Sequence, residues 1–103
     1  MATKNKPARK APPKERAVLV TTSYRGVFFG YATDTSGDTI KLRAGRNCVY
    51  WPAGQKGFVG LANAGPIQGS RIGPPADMEL RSVTAVLEVT PEAVAKWEAA
   101  PWQ

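Results

Sequence analysis

The sequence predicts a mainly β fold: a small, strongly bent β-barrel of about five strands, with a short internal helix and a C-terminal helix. Three observations carry this expectation. Runs of β-branched and aromatic residues recur at short intervals, the densest being RGVFFGYATDTSGDTIKLRAGRNCVYW over residues 25–51. Ten glycines and nine prolines in 103 residues supply turns throughout. Helix start signals cluster only near the C-terminus.

Residues 17–22 (AVLVTT) read as a first strand and 24–33 as a second. Alternation in the second places Val27, Phe29 and Tyr31 on one face, and Phe28, Gly30 and Ala32 on the other. Gly30 in mid-strand marks a bend or bulge. DTSGD (34–38) supplies a hairpin turn with Gly37 free to take positive φ. A third strand follows over 38–43 with Ile40 and Leu42 inward. Ala44 and Gly45 are expected to break it, and 47–51 to resume as a separate strand ended by Pro52.

Within 54–65, Phe58, Leu61 and Ala62 fall at helical spacing, and Gly65–Pro66 is a helix stop. Residues 66–77 form a Gly/Pro-rich loop that is long for so small a domain. Residues 78–89 return to β pattern with a break near Arg81 and Ser82. Thr90 as N-cap, Pro91 at the first helical position and Glu92 in the first turn then start a helix over 91–99, docked through Val94 and Trp97.

Charge divides the chain in two. Residues 1–16 carry six basic side chains (Lys4, Lys6, Arg9, Lys10, Lys14, Arg16) against Glu15, a net +5 of the total +6. That segment has no apolar periodicity and three prolines, so it is expected to form a disordered basic arm on a single domain spanning 17–103. A second basic set, Arg25, Lys41, Arg43 and Arg46, could line a sheet face beside Tyr24, Phe28 and Trp51, as in single-strand binders. Alternating Lys and Arg that merely solvate an outer face explain the same pattern. Gly69, Ser70 and Arg71 form a candidate anion loop, where backbone amides beside a cation could cradle a ligand. A plain structural loop is the competing reading.

No histidine is present. This removes the usual general base and most nucleophile pairs and transition-metal sites. The carboxylates show no catalytic or metal spacing, DTSGD lacks the glutamate that completes a calcium loop, and no phosphate-binding glycine motif occurs. The chain is therefore expected to be non-enzymatic, with no catalytic residues, no metal and no cofactor. The single cysteine, Cys48, is expected to be buried and inert. No stretch has the length or apolarity of a membrane span or a secretory signal.

RGV at 25–27, NCVYW at 47–51 and GSR at 69–71 resemble a family of small proteins encoded by bacteriophages and prophages. The resemblance covers about residues 18–102 and carries no assigned activity. A weaker likeness, to Sm-like and SH3-like barrels, is limited by the long 52–77 insertion. Together these readings imply a self-associating phage protein, in the host cytoplasm or the virion, whose basic arm contacts nucleic acid non-specifically. The alternatives are a structural virion protein whose arm threads into other subunits, and an inhibitor of a host defence protein or nucleotide signal.

Overall fold

The computed structural model describes residues 15–23 and 26–101. The basic side chains of Lys4, Lys6, Arg9, Lys10, Lys14 and Arg25, together with Tyr24 and the expected disorder of the arm, lie outside them.

Six strands form one antiparallel sheet: β1 (Arg16–Thr22), β2 (Val27–Ala32), β3 (Thr39–Tyr50), β4 (Arg71–Ile72), β5 (Ala76–Arg81) and β6 (Val83–Glu88). Their order is β4-β3-β2-β1-β6, with β5 also paired to β3. Helix α1 (Gly57–Asn63) follows a 3₁₀ turn at Ala53–Gln55, and α2 (Pro91–Ala99) closes the described chain.

The sheet bends strongly but does not close, which corrects the expected barrel. No ladder joins β4 or β5 to β6 among the described residues. The reason is covalent. A single residue, Ser82 at φ 58°, carries the chain from the edge of β3 to the edge of β1. A strand cannot hydrogen-bond to its own continuation, so the seam is crossed by the backbone instead. Two flanking hydrogen bonds hold the crossing, from Ser23 N–H to the Ser82 carbonyl and from Val83 N–H to that of Asp38.

The strand count also differs from expectation. The two segments anticipated on either side of Ala44 and Gly45 are one twelve-residue strand. Ala44 takes φ 54°, and the β3–β5 register shifts between Leu42 and Gly45, so the chain bulges and curls without stopping. Glycines make the curl sterically feasible. A Cβ on Gly45 would lie 2.9 Å from the Met78 sulfur, and one on Gly30 3.0 Å from Leu42 Cβ. Gly30 also marks a register shift between β2 and β3, as its mid-strand position predicts.

Because the sheet curls, β1 and β2 are buried on both faces. One face collects Val18, Val20, Ala32, Ile40, Leu42 and Leu80 inside the bend. The other packs Leu19, Val27, Phe29 and Cys48 against Leu61, Ala62, Ala93 and Trp97 of the helices. The alternation expected for β2 holds, and Phe28 belongs to the inner core. It is therefore not part of a stacking surface. Thr90 caps α2 as expected, its hydroxyl accepting from Ala93 N–H at 3.1 Å. The same hydroxyl donates to the Asn63 carbonyl at 2.8 Å and so ties the start of α2 to the end of α1.

Candidate functional site

The basic residues expected to share one sheet face are dispersed. Arg16, assigned to the arm, is the first residue of β1 and pairs with Glu88 and the Thr35 hydroxyl. Lys41 stands opposite Glu79 in the β3–β5 ladder. Arg43 grips Glu15 with two hydrogen bonds of 2.8 and 2.7 Å and lies 4.8 Å over the Tyr31 ring. The hydrogen bonds from Arg43 hold the Glu15 carboxyl below its usual range, and the same pairing raises the Arg43 guanidinium. Tyr31 in turn donates to Glu98, and partial burial together with that carboxylate pushes its phenol up to about 12. Lys41 and Arg43 share a cleft with Glu15, Asp77 and Glu79, so acidic groups offset the bases there.

Arg46 is a clear correction. It is only 6% exposed, and its guanidinium donates from Nε to the Gly73 carbonyl and from Nη1 to the Trp97 carbonyl, both at 2.7 Å. Burial lowers its pKa from the ordinary arginine value. An arginine in that position joins α2 to the loop before β5 and is not available to a polyanion. Alternation along a strand shows which face a side chain takes, but not whether that face is later covered.

The loop from Gly65 to Arg71 is far more ordered than its composition suggests. Gln55, 3% exposed, reaches into it with both ends of its amide. Its Nε2 donates to the Gly65 carbonyl at 2.8 Å, and its Oε1 accepts from Ile67 N–H at 2.9 Å and from the Ser70 hydroxyl at 3.4 Å. Ser70 N–H closes a turn onto the Ile67 carbonyl at 3.1 Å, with Gly69 at φ 96°. That geometry needs a glycine in the third turn position. Arg71 then enters β4 opposite Tyr50. Across the loop stands Lys96 of α2, brought close because Gly65 has no side chain: a Cβ there would meet Lys96 Cβ at 2.8 Å. Together these elements line an open cleft of ≈ 880 Å³ that contains Gln68, Ser70, Arg71 and Lys96 and no acidic side chain. The sequence singled out residues 69–71. It had no means of showing Gln55 or Lys96 beside them.

A second surface is apolar. Val49, Tyr50, Phe58 and Val59 are the exposed large hydrophobic residues of the described chain, at 57, 52, 39 and 51%. Val49, Tyr50 and Phe58, with Trp51, Thr22 and Thr84, line a groove of ≈ 750 Å³ at the end of the sheet beyond α1. Among the described residues, no charged side chain lines it. Cys48 is at its floor, and burial pushes that thiol up to about 11, so it stays protonated and inert at neutral pH. Trp51, expected from sequence beside the basic set, is one of the aromatics of this groove. A sharper signal was available in the adjacency of Val49 with Tyr50. Neighbours on a strand point to opposite faces, so one of the pair is exposed wherever the sheet end is covered on one side only.

Asp34 of the DTSGD turn accepts from Ser36 N–H at 3.0 Å and Ser36 Oγ at 2.7 Å, an Asx turn and not a cation loop. Among the described residues, no group of three or more His, Cys, Asp or Glu side chains could hold a metal ion. No described helix is long and apolar enough to cross a membrane.

The model of the DUF6948 family, a domain of unknown function, matches residues 15–97. The chain belongs to that family. The match starts at Glu15, which pairs with Arg43, and ends at Trp97 in the helical core. No curated protein and no solved structure matches the chain.

Proposed function

We propose that this protein is a non-enzymatic, self-associating binding protein whose basic N-terminal segment contacts nucleic acid without sequence preference. The observation that carries this reading is the distribution of charge. Residues 1–14 hold five basic and no acidic side chains, whereas residues 15–103 hold nine basic and eight acidic ones. Within the domain, Arg16, Arg43 and Arg81 face carboxylates and Arg46 is buried on carbonyls. Phosphate attraction therefore falls mainly to the segment before Glu15.

Counterion release sets the expected size of the effect. Five neutralised phosphates on duplex DNA give a slope of about −4.5 in log affinity against log salt. Full-length protein should accordingly lose on the order of several hundredfold in affinity between 50 and 200 mM salt. A chain lacking residues 1–14 should keep its circular dichroism spectrum and lose most retention in a low-salt gel shift. Undiminished retention by the truncated chain would refute the reading.

Self-association rests on the apolar groove. With no charge among its described lining residues, two copies can cover Val49, Tyr50 and Phe58 there at little desolvation cost. Val49→Lys should shift the light-scattering mass of the full chain to that of a monomer. An unchanged mass would place the contact elsewhere.

In this reading the protein is phage- or prophage-encoded and acts in the host cytoplasm or in the virion, which its RGVFFG, NCVYW and GSR segments support through the resemblance noted above. The same groove favours a second reading, a structural virion component that packs by this apolar face. Stoichiometric copies in purified particles would support it.

A further inference from the structure

We propose that the cleft between the residue 66–72 loop and the last turn of α2 is a phosphate-binding site, with Arg71 and Lys96 as its charged walls and the Gln68–Gly69 amides as its floor. The site is separate from the basic N-terminal segment and uses none of its residues.

Four features converge. Arg71 and Lys96 line the same cleft with no acidic side chain in the lining. The nearest carboxylate partner of Lys96 is Glu92, at 4.0 Å one helical turn away. Two cations sharing one cleft repel each other, and a bound anion between them turns that repulsion into attraction. Lys96 also lies in the last turn of α2, where the helix dipole favours positive charge.

The loop is held in place before any ligand arrives. Buried Gln55 uses both ends of its amide on Gly65, Ile67 and Ser70, which fixes the turn that presents residues 68 and 69. Ile67 N–H and Ser70 N–H are satisfied within the loop. The N–H groups of Gln68 and Gly69 have no backbone hydrogen-bond partner among the described residues. Amides left without a partner on a turn fixed in advance beside a cation are available to an anion, and their positions carry no ordering penalty on binding. The volume of ≈ 880 Å³ exceeds what phosphate alone requires and falls within the range of small-ligand clefts. Ile67, Ile72, Ala99 and Pro101 supply apolar wall for the body of the ligand, such as a sugar and base.

Phosphate could reach the cleft as a free nucleotide or as the backbone of a nucleic acid. The test uses the full-length chain labelled with ¹⁵N and titrated at constant ionic strength with inorganic phosphate, AMP or an oligo-dT strand. Saturable shifts of the Gln68 and Gly69 amides are expected. Arg71→Gln and Lys96→Gln should each weaken that response about tenfold, as loss of one charged hydrogen bond predicts. Arg81→Gln, outside the cleft and paired with Glu79, should leave it unchanged. Saturation by AMP assigns a free nucleotide, whereas a response to oligo-dT alone assigns backbone phosphate. The proposal is overturned if no probe moves these amides, if sodium chloride moves them equally, or if the response survives in the Arg71→Gln/Lys96→Gln double variant. Because these resonances report the cleft alone, their silence would leave the gel-shift result for residues 1–14 standing.

Discussion

Trp97→Ala is expected to remove most of the stability of this domain. Trp97 is fully buried at the centre of the helix-side core. Its ring stacks on Phe29 with centroids 5.1 Å apart and planes 6° from parallel. Its indole N–H donates to the Leu61 carbonyl at 3.1 Å, which links α2 to α1. Truncating a large buried aromatic costs about 3–5 kcal/mol through lost burial and the cavity left behind. Loss of the indole hydrogen bond adds about 1 kcal/mol, the Leu61 carbonyl keeping Gly65 N–H at 3.1 Å. Domains of this size have a total stability of about 5–15 kcal/mol. The variant should therefore melt at least about 15 °C lower, or fail to fold. Trp97→Phe keeps a ring against Phe29 and loses mainly the N–H bond, so it should cost about 1–3 kcal/mol. Urea denaturation of both variants checks the ordering. Equal losses would mean that ring packing is not what holds α2 to the sheet.

Arg46→Leu is expected to destabilise by about 2–4 kcal/mol, although it replaces a charged residue by an apolar one in a buried place. The guanidinium is the donor to two carbonyls, those of Gly73 and Trp97, and leucine leaves both without it. Arg46→Lys should rescue little. An ammonium is a compact charge, and it cannot reproduce a planar fork that spans two acceptors on separate elements. Arg43→Ala should cost far less, because its Glu15 pair is largely exposed. Thermal melts of the three variants check the contrast. A greater loss at Arg43 than at Arg46 would reverse the assignment of structural and surface arginines.

The contrast between these arginines shows where sequence reading stops. Both lie on β3, in a run of alternating polar and apolar residues, and both read as outward-facing basic positions. Arg43 remains outside. They are three residues apart, and the bulge at Ala44 returns them to one face, opposite Phe29 and Tyr31, but only Arg46 lies where α2 and the loop before β5 cover it. Which part of a face a helix later covers is not written in the strand's own alternation. Strand alternation away from that bulge was legible, as Val27, Phe29, Ile40 and Leu42 show by their burial. Helix α2 was equally legible, since Thr90, Pro91 and Glu92 act within a few residues of one another.

The binding surfaces divide in the same way. Residues 69–71 were visible as a candidate because glycine and arginine adjacency is local. Gln55 and Lys96, which shape and charge that cleft, are 14 or more positions from Gly69, and only packing brings them to it. The apolar groove is likewise assembled from β1, β2, β3, α1 and β6.

By itself the sequence determined the mainly β class, the terminal helix and its cap, the division of charge between residues 1–16 and the rest, and the lack of histidine. These properties depend on composition or on neighbours within one turn or one strand. Tertiary structure decided that the sheet curls without closing, that Arg46 is structural, and that Arg71 faces Lys96 across a pinned loop. Those outcomes depend on where elements distant in sequence come to rest, and one bulge at Ala44 and one crossing at Ser82 redirect all of them.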